Sequence, residues 1–203
     1  MDLLTALKKH HTPFASGPCS DIYMNRGKAM KVMEDGWYED TLKECILQDK
    51  AYEAGLAPKI HSVFEVPGAD VITMDYINTD RFKHADGNLN TYSKAIWLED
   101  LDTKNMLSGS KLYAKLILAG ILHTDFHVGN WFIDGETTVA IDFGLAELVA
   151  DSNITQLKQA VRNLTRCMIH AEEFDLLHEM MFCRSSKKLR KLLFKAATVA
   201  TAH

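Results

Sequence analysis

Hydrophobic and polar residues follow two different spacings along the chain. Short apolar runs bounded by turn residues predict strands over residues 29–33, 60–66, 71–74, 131–133 and 138–141. Apolar residues three or four positions apart predict helices over residues 2–10, 37–54, 91–101, 110–119, 154–170, 172–182 and 187–201. Strands outnumber helices in the first part and helices outnumber strands in the second, so the pattern predicts an α+β fold.

Composition limits the class of protein. The 203 residues are 47% hydrophobic, which is enough for a core in one or two small domains. A net charge of -4 argues against a general binder of polyanions. The four cysteines include no C-x-x-C pair, which favours reduced thiols. No apolar run of about 18 residues occurs, and the N-terminal residues lack the order of a signal peptide. We therefore expect a cytoplasmic protein without a transmembrane segment.

Three polar side chains border the predicted hairpin at residues 131–141. Asp125 and Asn130 precede its first strand and Asp142 follows its second, so all three should project from the same end. Two carboxylates and an amide suit phosphoryl transfer. Asp142 would bind Mg²⁺ at the nucleotide phosphates, and Asn130 would hold a second ion. Asp125 would orient an attacking hydroxyl group and accept its proton.

The same region carries a family resemblance. Residues 123–130, HTDFHVGN, resemble the catalytic loop of protein-kinase-like phosphotransferases, and residues 142–144, DFG, resemble their metal-binding motif. The resemblance implies an enzyme that uses ATP and Mg²⁺ and has a bilobal fold. Its small β-rich lobe with one long helix would span residues 1–78, and its mainly helical lobe would span residues 79–203.

Two other interpretations of this region stay open. One is an ordinary hairpin with polar ends. The other is a zinc site, in which His123, Asp125 and His127 occupy alternate positions of a strand and point to the same side. The sequence offers no second cluster at ligand spacing, which disfavours the zinc site.

A lysine and a glutamate in the first part of the chain fit the family pattern. The resemblance makes Lys31 the lysine that contacts the α- and β-phosphates. In the helix over residues 37–54, Glu44 shares a face with apolar residues three and seven positions later, so we expect it to point toward the strands. An inward carboxylate needs a partner, and Lys31 is the natural candidate. In the alternative, Glu44 lies on a solvated face and Glu53 is the competing acid.

The resemblance also implies where the nucleotide binds. Residues 14–23, FASGPCSDIY, stand where kinases have a glycine-rich lid over the phosphates, but Gly17 is the only glycine here. Met74 would be the gatekeeper of the hinge, and the main chain of Asp75 and Ile77 would bind the adenine base. The polar stretch 78–90 would connect the two lobes.

The catalytic-loop motif at residues 123–130, H-x-D-x-H-x-x-N, differs from that of protein kinases. Those usually have arginine before the catalytic aspartate and lysine two residues after it, whereas Thr124 and His127 stand here. This form resembles aminoglycoside phosphotransferases and also occurs in the kinase-like family associated with quinone synthesis. The spacing from Glu44 to Gly55-x-x-Pro58 resembles the small atypical kinases, including the RIO-like group.

Small-molecule kinases generally enclose the substrate with a helical insertion, for which this chain has little room. We therefore expect a minimal atypical serine/threonine protein kinase with an open cleft for a protein side chain. The alternatives are a small-molecule kinase of the aminoglycoside-phosphotransferase type and a nucleotide-binding pseudokinase that acts as a scaffold. The segment at residues 145–153 is short and contains no A-P-E triplet, so we do not expect an activation segment that is switched by phosphorylation.

The end of the chain is basic. The helix at residues 184–195 carries six cations around an apolar stripe. It would either contact a partner or an anionic surface, or pack on its lobe with a solvated cationic face.

Overall fold

The computed structural model describes residues 3–17, 19–34, 38–78, 83–84, 103–134, 137–149, 155, 158, 179–180 and 182–198. These residues form an α+β fold, as the sequence predicts: a sheet with helices on both faces, followed by a mainly helical part with short strands. The helix predicted over residues 91–101 lies outside the described residues. Most of the residues predicted as helical over 154–170 and 172–182 lie outside them too.

The sheet has five strands in the order β1-β2-β3-β5-β4, and all neighbours pair antiparallel. The strands are β1 Ala15–Ser16, β2 Asp21–Asn25, β3 Lys28–Glu34, β4 Ile60–Val66 and β5 Ala69–Asp75. The predicted strands of this region are confirmed, and β3 and β5 extend beyond the predicted bounds at both ends.

The two faces of the sheet pack against different helices, because successive side chains of a strand point to opposite faces. Helix α1 (Leu3–His10) covers one face, where Leu4 and Leu7 contact a buried cluster. That cluster comprises Tyr23, Met30, Val32, Ala69 and Val71. Helix α2 (Tyr38–Glu53) covers the other face. There Cys45 packs with Ala29, Ile72 and Met74. Lys31 shares this face with Ala29, so its side chain points toward α2.

Helix α2 also packs against the second part of the chain. Its Leu47 and Ala51 join a buried cluster with helix α3 (Thr103–Leu118) and with residues around a hairpin. The other members are Leu56, Ala57, Leu112, Leu116, Ile121, Trp131, Ala140, Phe143 and Ala146. Burial of each large apolar side chain contributes roughly 1.5–3 kcal/mol. This cluster therefore holds α2 in place relative to the residues that follow the hairpin.

Three features differ from the sequence prediction. Helix α3 begins at Thr103 rather than at residue 110, because burial of Gly109 and Ser110 outweighs their weak helix propensity. Within the polar stretch 78–90, which the sequence predicts to be a connection between lobes, the described residues 83–84 form a strand, β6 (Lys83–His84). Strand β7 (Ile121–Leu122) pairs antiparallel with β10 (Glu147–Leu148), and two-residue strands are too short to show a period.

The last helix, α4 (Ser186–Thr198), packs its apolar stripe against α3. The buried residues of the stripe are Leu189, Leu192, Leu193 and Ala197. Arg190 donates to the Leu118 carbonyl oxygen at 3.2 Å. The exposed side chains of the helix include Lys187, Lys188, Lys191 and Lys195. The stripe is thus part of the core, and the cationic face lies outside. Within the described ranges, no helix combines the length and the apolar character needed to cross a membrane.

Candidate active site

The predicted hairpin is confirmed. Strands β8 (Trp131–Asp134) and β9 (Thr137–Ala140) pair antiparallel along their whole length, and β6 pairs with β8. Beyond the last pair, the Ile141 N–H donates to the Asn130 carbonyl oxygen at 2.9 Å. This bond holds Asn130 opposite the residue that precedes Asp142. The amide and the carboxylate therefore belong to the same end of the hairpin.

Lys31 lies between two carboxylates. Its Nζ donates to Glu44 Oε1 at 2.7 Å and to Asp142 Oδ1 at 2.9 Å. Lys31 and Glu44 are 7% and 4% exposed, whereas the side chain of Asp142 is 47% exposed. The expected contact between Lys31 and Glu44 is present, and Glu53, the competing acid, is exposed. A buried ion pair thus joins a carboxylate that a ligand can reach.

The charges in this cluster support one another. Burial disfavours the ammonium of Lys31, but Glu44 and Asp142 outweigh this effect and raise the pKa of the lysine. Burial raises the pKa of Glu44, which Lys31 opposes. Burial also disfavours the carboxylate of Asp142, but Lys31 and the Gly144 N–H lower the pKa of Asp142 on balance. At neutral pH, Lys31 is an ammonium and Asp142 is a carboxylate.

Buried polar contacts set the rotation of α2. Thr41 Oγ1 donates to Asp70 Oδ2 at 2.8 Å, and both residues are buried. Gln48 Nε2 donates to the Pro58 carbonyl oxygen at 3.0 Å. Thr41, Glu44 and Gln48 are three and four positions apart, so they share the face that is turned inward. These contacts keep Glu44 directed at Lys31.

The segment after β9 is anchored by a buried ring. Phe143 is fully buried in the cluster that contains Leu47, and its ring lies 5.1 Å from that of His123. Asp142 has a φ of 60°, in the left-handed region, which aspartate tolerates better than most residues. The turn at Asp142 and the anchored Phe143 together direct the carboxylate to Lys31.

Asp125 is held by the side chain of Asn130. Asn130 Nδ2 donates to the Asp125 carbonyl oxygen at 2.9 Å and to its Oδ2 at 3.2 Å. His127 lies beside the same carboxylate, with 3.7 Å between Nε2 and Oδ2. Its Nδ1 accepts the Gly129 N–H at 3.0 Å and so caps the 3-10 helix Val128–Asn130. Asp125 and Asn130 form one unit, in which the side chain of Asp125 is 46% exposed.

The oxygen atoms at this end of the hairpin fit Mg²⁺. Since both bonds of the Asn130 amide nitrogen go to Asp125, its Oδ1 is the atom that can face a cation. Asp142 uses Oδ1 on Lys31, and its carboxylate is half exposed. Carboxylate and amide oxygens are the ligands of hard cations such as Mg²⁺. The roles of Asn130 and Asp142 as ligands stay predictions that this geometry permits.

The zinc-site interpretation rests on a strand that the structure does not contain. Strand β7 ends at Leu122, so His123, Asp125 and His127 do not alternate on a strand. His123 is 1% exposed, and its Nε2 bonds the Ile141 carbonyl oxygen at 3.0 Å. Burial lowers the pKa of His123, so its ring is neutral. In the part of the chain that the structure describes, no group of three or more His, Cys, Asp or Glu is placed to hold a metal ion.

The lid is a short hairpin of β1 and β2. The Gly17 N–H donates to the Ser20 carbonyl oxygen at 2.8 Å, so this donor is engaged within the turn. Phe14, just before β1, packs edge-on against Tyr76, with ring centroids 5.6 Å apart. The lid therefore contacts the predicted hinge through two aromatic rings. Phosphate binding by Gly17 stays a prediction.

The predicted hinge residues lie at the end of β5, where Met74 and Asp75 are the last two residues of the strand and Ile77 follows it. Met74 is 9% exposed, and its sulfur accepts a bond from Gln48 Nε2 at 3.6 Å. The Asp75 N–H donates to the Lys59 carbonyl oxygen at 2.8 Å. That donor is used within the fold, so the Asp75 carbonyl and the Ile77 N–H are the main-chain groups that we assign to the base. Their role stays a prediction.

Sequence reasoning misses two contacts near the site. The first is the bond from Gln48 to the Pro58 carbonyl oxygen. The sequence does indicate that Gln48 points inward, since it follows Glu44 by four residues and shares its face of the helix. Thr124 Oγ1 donates to the Leu145 carbonyl oxygen and so ties the residue before Asp125 to the segment after Phe143. A hydroxyl-to-backbone contact between residues 21 positions apart has no sequence pattern, so it has no such signal.

We expect Glu44→Ala to lower the free energy of unfolding by about 3 kcal/mol, because it leaves a buried ammonium with only one carboxylate. Urea titration at neutral pH measures the loss. Glu53→Ala, on the exposed side of the same helix, is the matched control and should change stability little. Lys31→Met combined with Glu44→Leu should recover stability, since both buried charges of the ion pair are then removed. Equal stability of Glu44→Ala and Glu53→Ala would contradict the ion pair.

We expect stability to fall as the pH rises from about 9 to about 11, partly through Cys45. Burial raises the pKa of this thiol from its ordinary value of 9.0 to about 11. The unfolded chain ionises first, so this contribution is complete below pH 9 and is lost at about 1.4 kcal/mol per pH unit between the two values. Urea titrations across this range measure the slope. Cys45→Ala should flatten it, and an unchanged slope in that variant would contradict the assignment.

Comparisons with known proteins bear on the family and the fold. The profile of the ABC1 atypical kinase-like domain matches residues 43–172. A search of curated proteins found no match. A solved structure described as a co-crystal structure of WbdD and kinase inhibitor LY294002 superposes with a TM-score of 0.54 at 14% sequence identity. The match covers 92% of this chain and 45% of that chain, and at this identity it shows the fold alone.

Proposed function

Since the chain belongs to the family of ABC1 atypical kinase-like domains, within the protein-kinase-like superfamily, we propose that it is an ATP- and Mg²⁺-dependent phosphotransferase. It moves the γ-phosphate of ATP to a hydroxyl group. One observation carries the proposal: Lys31 joins the buried Glu44 to the half-exposed Asp142. A single ligand bound between the β-rich part, residues 1–78, and the helical part, residues 79–203, could then contact both the ammonium of Lys31 and the carboxylate of Asp142.

Each residue has a stated task in this proposal. Lys31 binds the α- and β-phosphates, and Glu44 holds its ammonium in place. Asn130 and Asp142 supply oxygen ligands to Mg²⁺, which offsets the charge of the phosphates when it is bound. Met74 and the main chain around Asp75 hold the base.

Asp125 acts at the transfer step. Its exposed carboxylate accepts a hydrogen bond from the acceptor hydroxyl group and orients the oxygen toward the γ-phosphorus. As the new oxygen–phosphorus bond forms, the bond from the γ-phosphorus to the oxygen that bridges it to the β-phosphate breaks, and ADP leaves with that electron pair. The hydroxyl proton goes to Asp125.

We propose a serine or threonine side chain of a protein as the acceptor. The support is the exposure of the Asp125 side chain. At 46% exposed, it is open to a substrate that brings its own surface. A small-molecule hydroxyl is the second candidate. It is favoured by His127, which stands where protein kinases usually carry lysine.

Labelling tests the proposal. The protein is incubated with Mg²⁺ and γ-labelled ATP, alone and with a cell lysate, beside an Asp142→Asn control. Label on protein supports the first acceptor, and label on small solutes supports the second. ATP binding without any transfer would overturn the proposal that the protein is an enzyme and would favour a nucleotide-binding scaffold.

A further inference from the structure

The imidazole of His127 makes two different contacts with the catalytic loop. Its Nδ1 accepts the Gly129 N–H at 3.0 Å. Its Nε2 faces Asp125 Oδ2 at 3.7 Å. A neutral imidazole carries one proton, so a ring that accepts at Nδ1 carries its proton on Nε2. The donor of the ring is therefore the atom that faces the carboxylate.

Space beside the ring is restricted. A Cβ added at Gly129 would lie 2.9 Å from His127 Cε1, shorter than real Cβ contacts, and 3.1 Å from Nδ1, tighter than most of them. The φ of Gly129 is not positive, so its backbone does not require glycine. The absence of a side chain at this position thus leaves room for the imidazole. The ring is fixed by a hydrogen bond on one edge and by backbone next to it.

These contacts divide the two oxygens of Asp125. Oδ2 accepts the Asn130 Nδ2–H at 3.2 Å and also faces His127 Nε2. The 3.7 Å separation is slightly longer than a hydrogen bond, and such contacts in catalytic sites often shorten when substrate binds. Two donors therefore converge on Oδ2, which leaves Oδ1 to receive a proton.

We propose that His127 is a positioning residue for Asp125: its Nε2–H, together with Asn130, holds Oδ2 and presents Oδ1 to the acceptor hydroxyl group. The inference rests on the proposed phosphotransferase function and assigns a task to the residue that stands in place of the usual lysine. His127 touches neither nucleotide nor acceptor in this role. It sets the orientation of the group that takes the proton.

Two substitutions separate the two edges of the ring. His127→Asn places an oxygen near Nδ1, so it keeps the cap on Gly129, and asparagine is a favoured capping residue. His127→Gln places its amide nitrogen near Nε2, so it keeps a donor toward Asp125 and loses the cap. If His127 only capped the loop, the asparagine variant would retain its function and the glutamine variant would not. If His127 positions Asp125, the glutamine variant would retain its function and the asparagine variant would not.

We expect His127→Asn to lower kcat by roughly 10- to 100-fold, as loss of an orienting partner does in other sites, with the KM for ATP unchanged. His127→Gln should stay near the wild-type rate. In an Asp125→Asn background, His127→Asn should have no further effect. Gly129→Ala should lower kcat like His127→Asn, because it displaces the ring. Circular dichroism and ATP binding check that each variant is folded.

An NMR measurement tests the inference without turnover. Nitrogen-15 spectra of the imidazole in the nucleotide-free protein should show Nε2 protonated and Nδ1 unprotonated, and Asp125→Asn should shift the Nε2 signal. A proton on Nδ1 would overturn the inference even if the protein transferred no phosphate. Normal kcat in His127→Asn with low kcat in His127→Gln would overturn it and leave the phosphotransferase proposal standing. Wild-type protein that binds ATP but transfers no phosphate would instead overturn the proposed function.

Discussion

Asp142→Asn should reduce phosphoryl transfer on the order of 10³-fold, because it removes the charge that faces Lys31 at 2.9 Å and that we propose binds Mg²⁺. Asparagine is the appropriate substitution here. The φ of Asp142 is 60°, and asparagine adopts this region readily, whereas alanine would add backbone strain. Transfer of labelled γ-phosphate at saturating ATP measures the loss.

The fold of this variant should survive, since the side chain of Asp142 is 47% exposed and Lys31 keeps its bond to Glu44 at 2.7 Å. Asp49→Asn is a suitable control, because that side chain is also exposed and has no role in the proposed site. The control should keep the wild-type rate. Full activity of Asp142→Asn would contradict the proposed role of this residue as a ligand of Mg²⁺.

Asp125→Asn should reduce kcat by roughly 10²- to 10⁴-fold, the usual contribution of a general base. The amide cannot take the acceptor proton, but it has nearly the shape of the carboxylate. ATP affinity should therefore be unchanged, and steady-state kinetics beside equilibrium ATP binding separates the two quantities.

A second comparison shows whether Asp125 acts as a base or as a structural anchor. Its carbonyl oxygen, which accepts Asn130 Nδ2 at 2.9 Å, is untouched by the substitution. The thermal midpoint of Asp125→Asn should consequently lie near that of the wild type. A large fall in the midpoint together with a small fall in kcat would make Asp125 a structural residue.

Much of the fold and of the candidate site could be predicted from the sequence, because the signals are local. The apolar run around Lys31 predicts strand β3, and the alternation of the strand then gives the face on which the lysine lies. The spacing of Glu44 relative to the apolar residues of α2 predicts that it is buried. The hairpin over residues 131–141 follows from two apolar runs and a turn.

The rest depends on contacts between residues that are distant in sequence. Lys31 and Asp142 are 111 positions apart, and no spacing rule predicts a bond over that distance. The engagement of the Gly17 N–H by Ser20 depends on the turn that forms, which composition alone does not specify. The two contacts of His127 depend on the rotation of its ring, so the residue reads in sequence only as a departure from the kinase motif.

The most direct test of the account is the dependence of ATP affinity on Mg²⁺, measured by calorimetry in the wild-type protein and in Asp142→Asn. The account predicts that Mg²⁺ tightens ATP binding to the wild type and has little effect on the variant, because the carboxylate that contacts Lys31 also holds the ion. The same Mg²⁺ dependence in both proteins, or no ATP binding to the wild type, would contradict it.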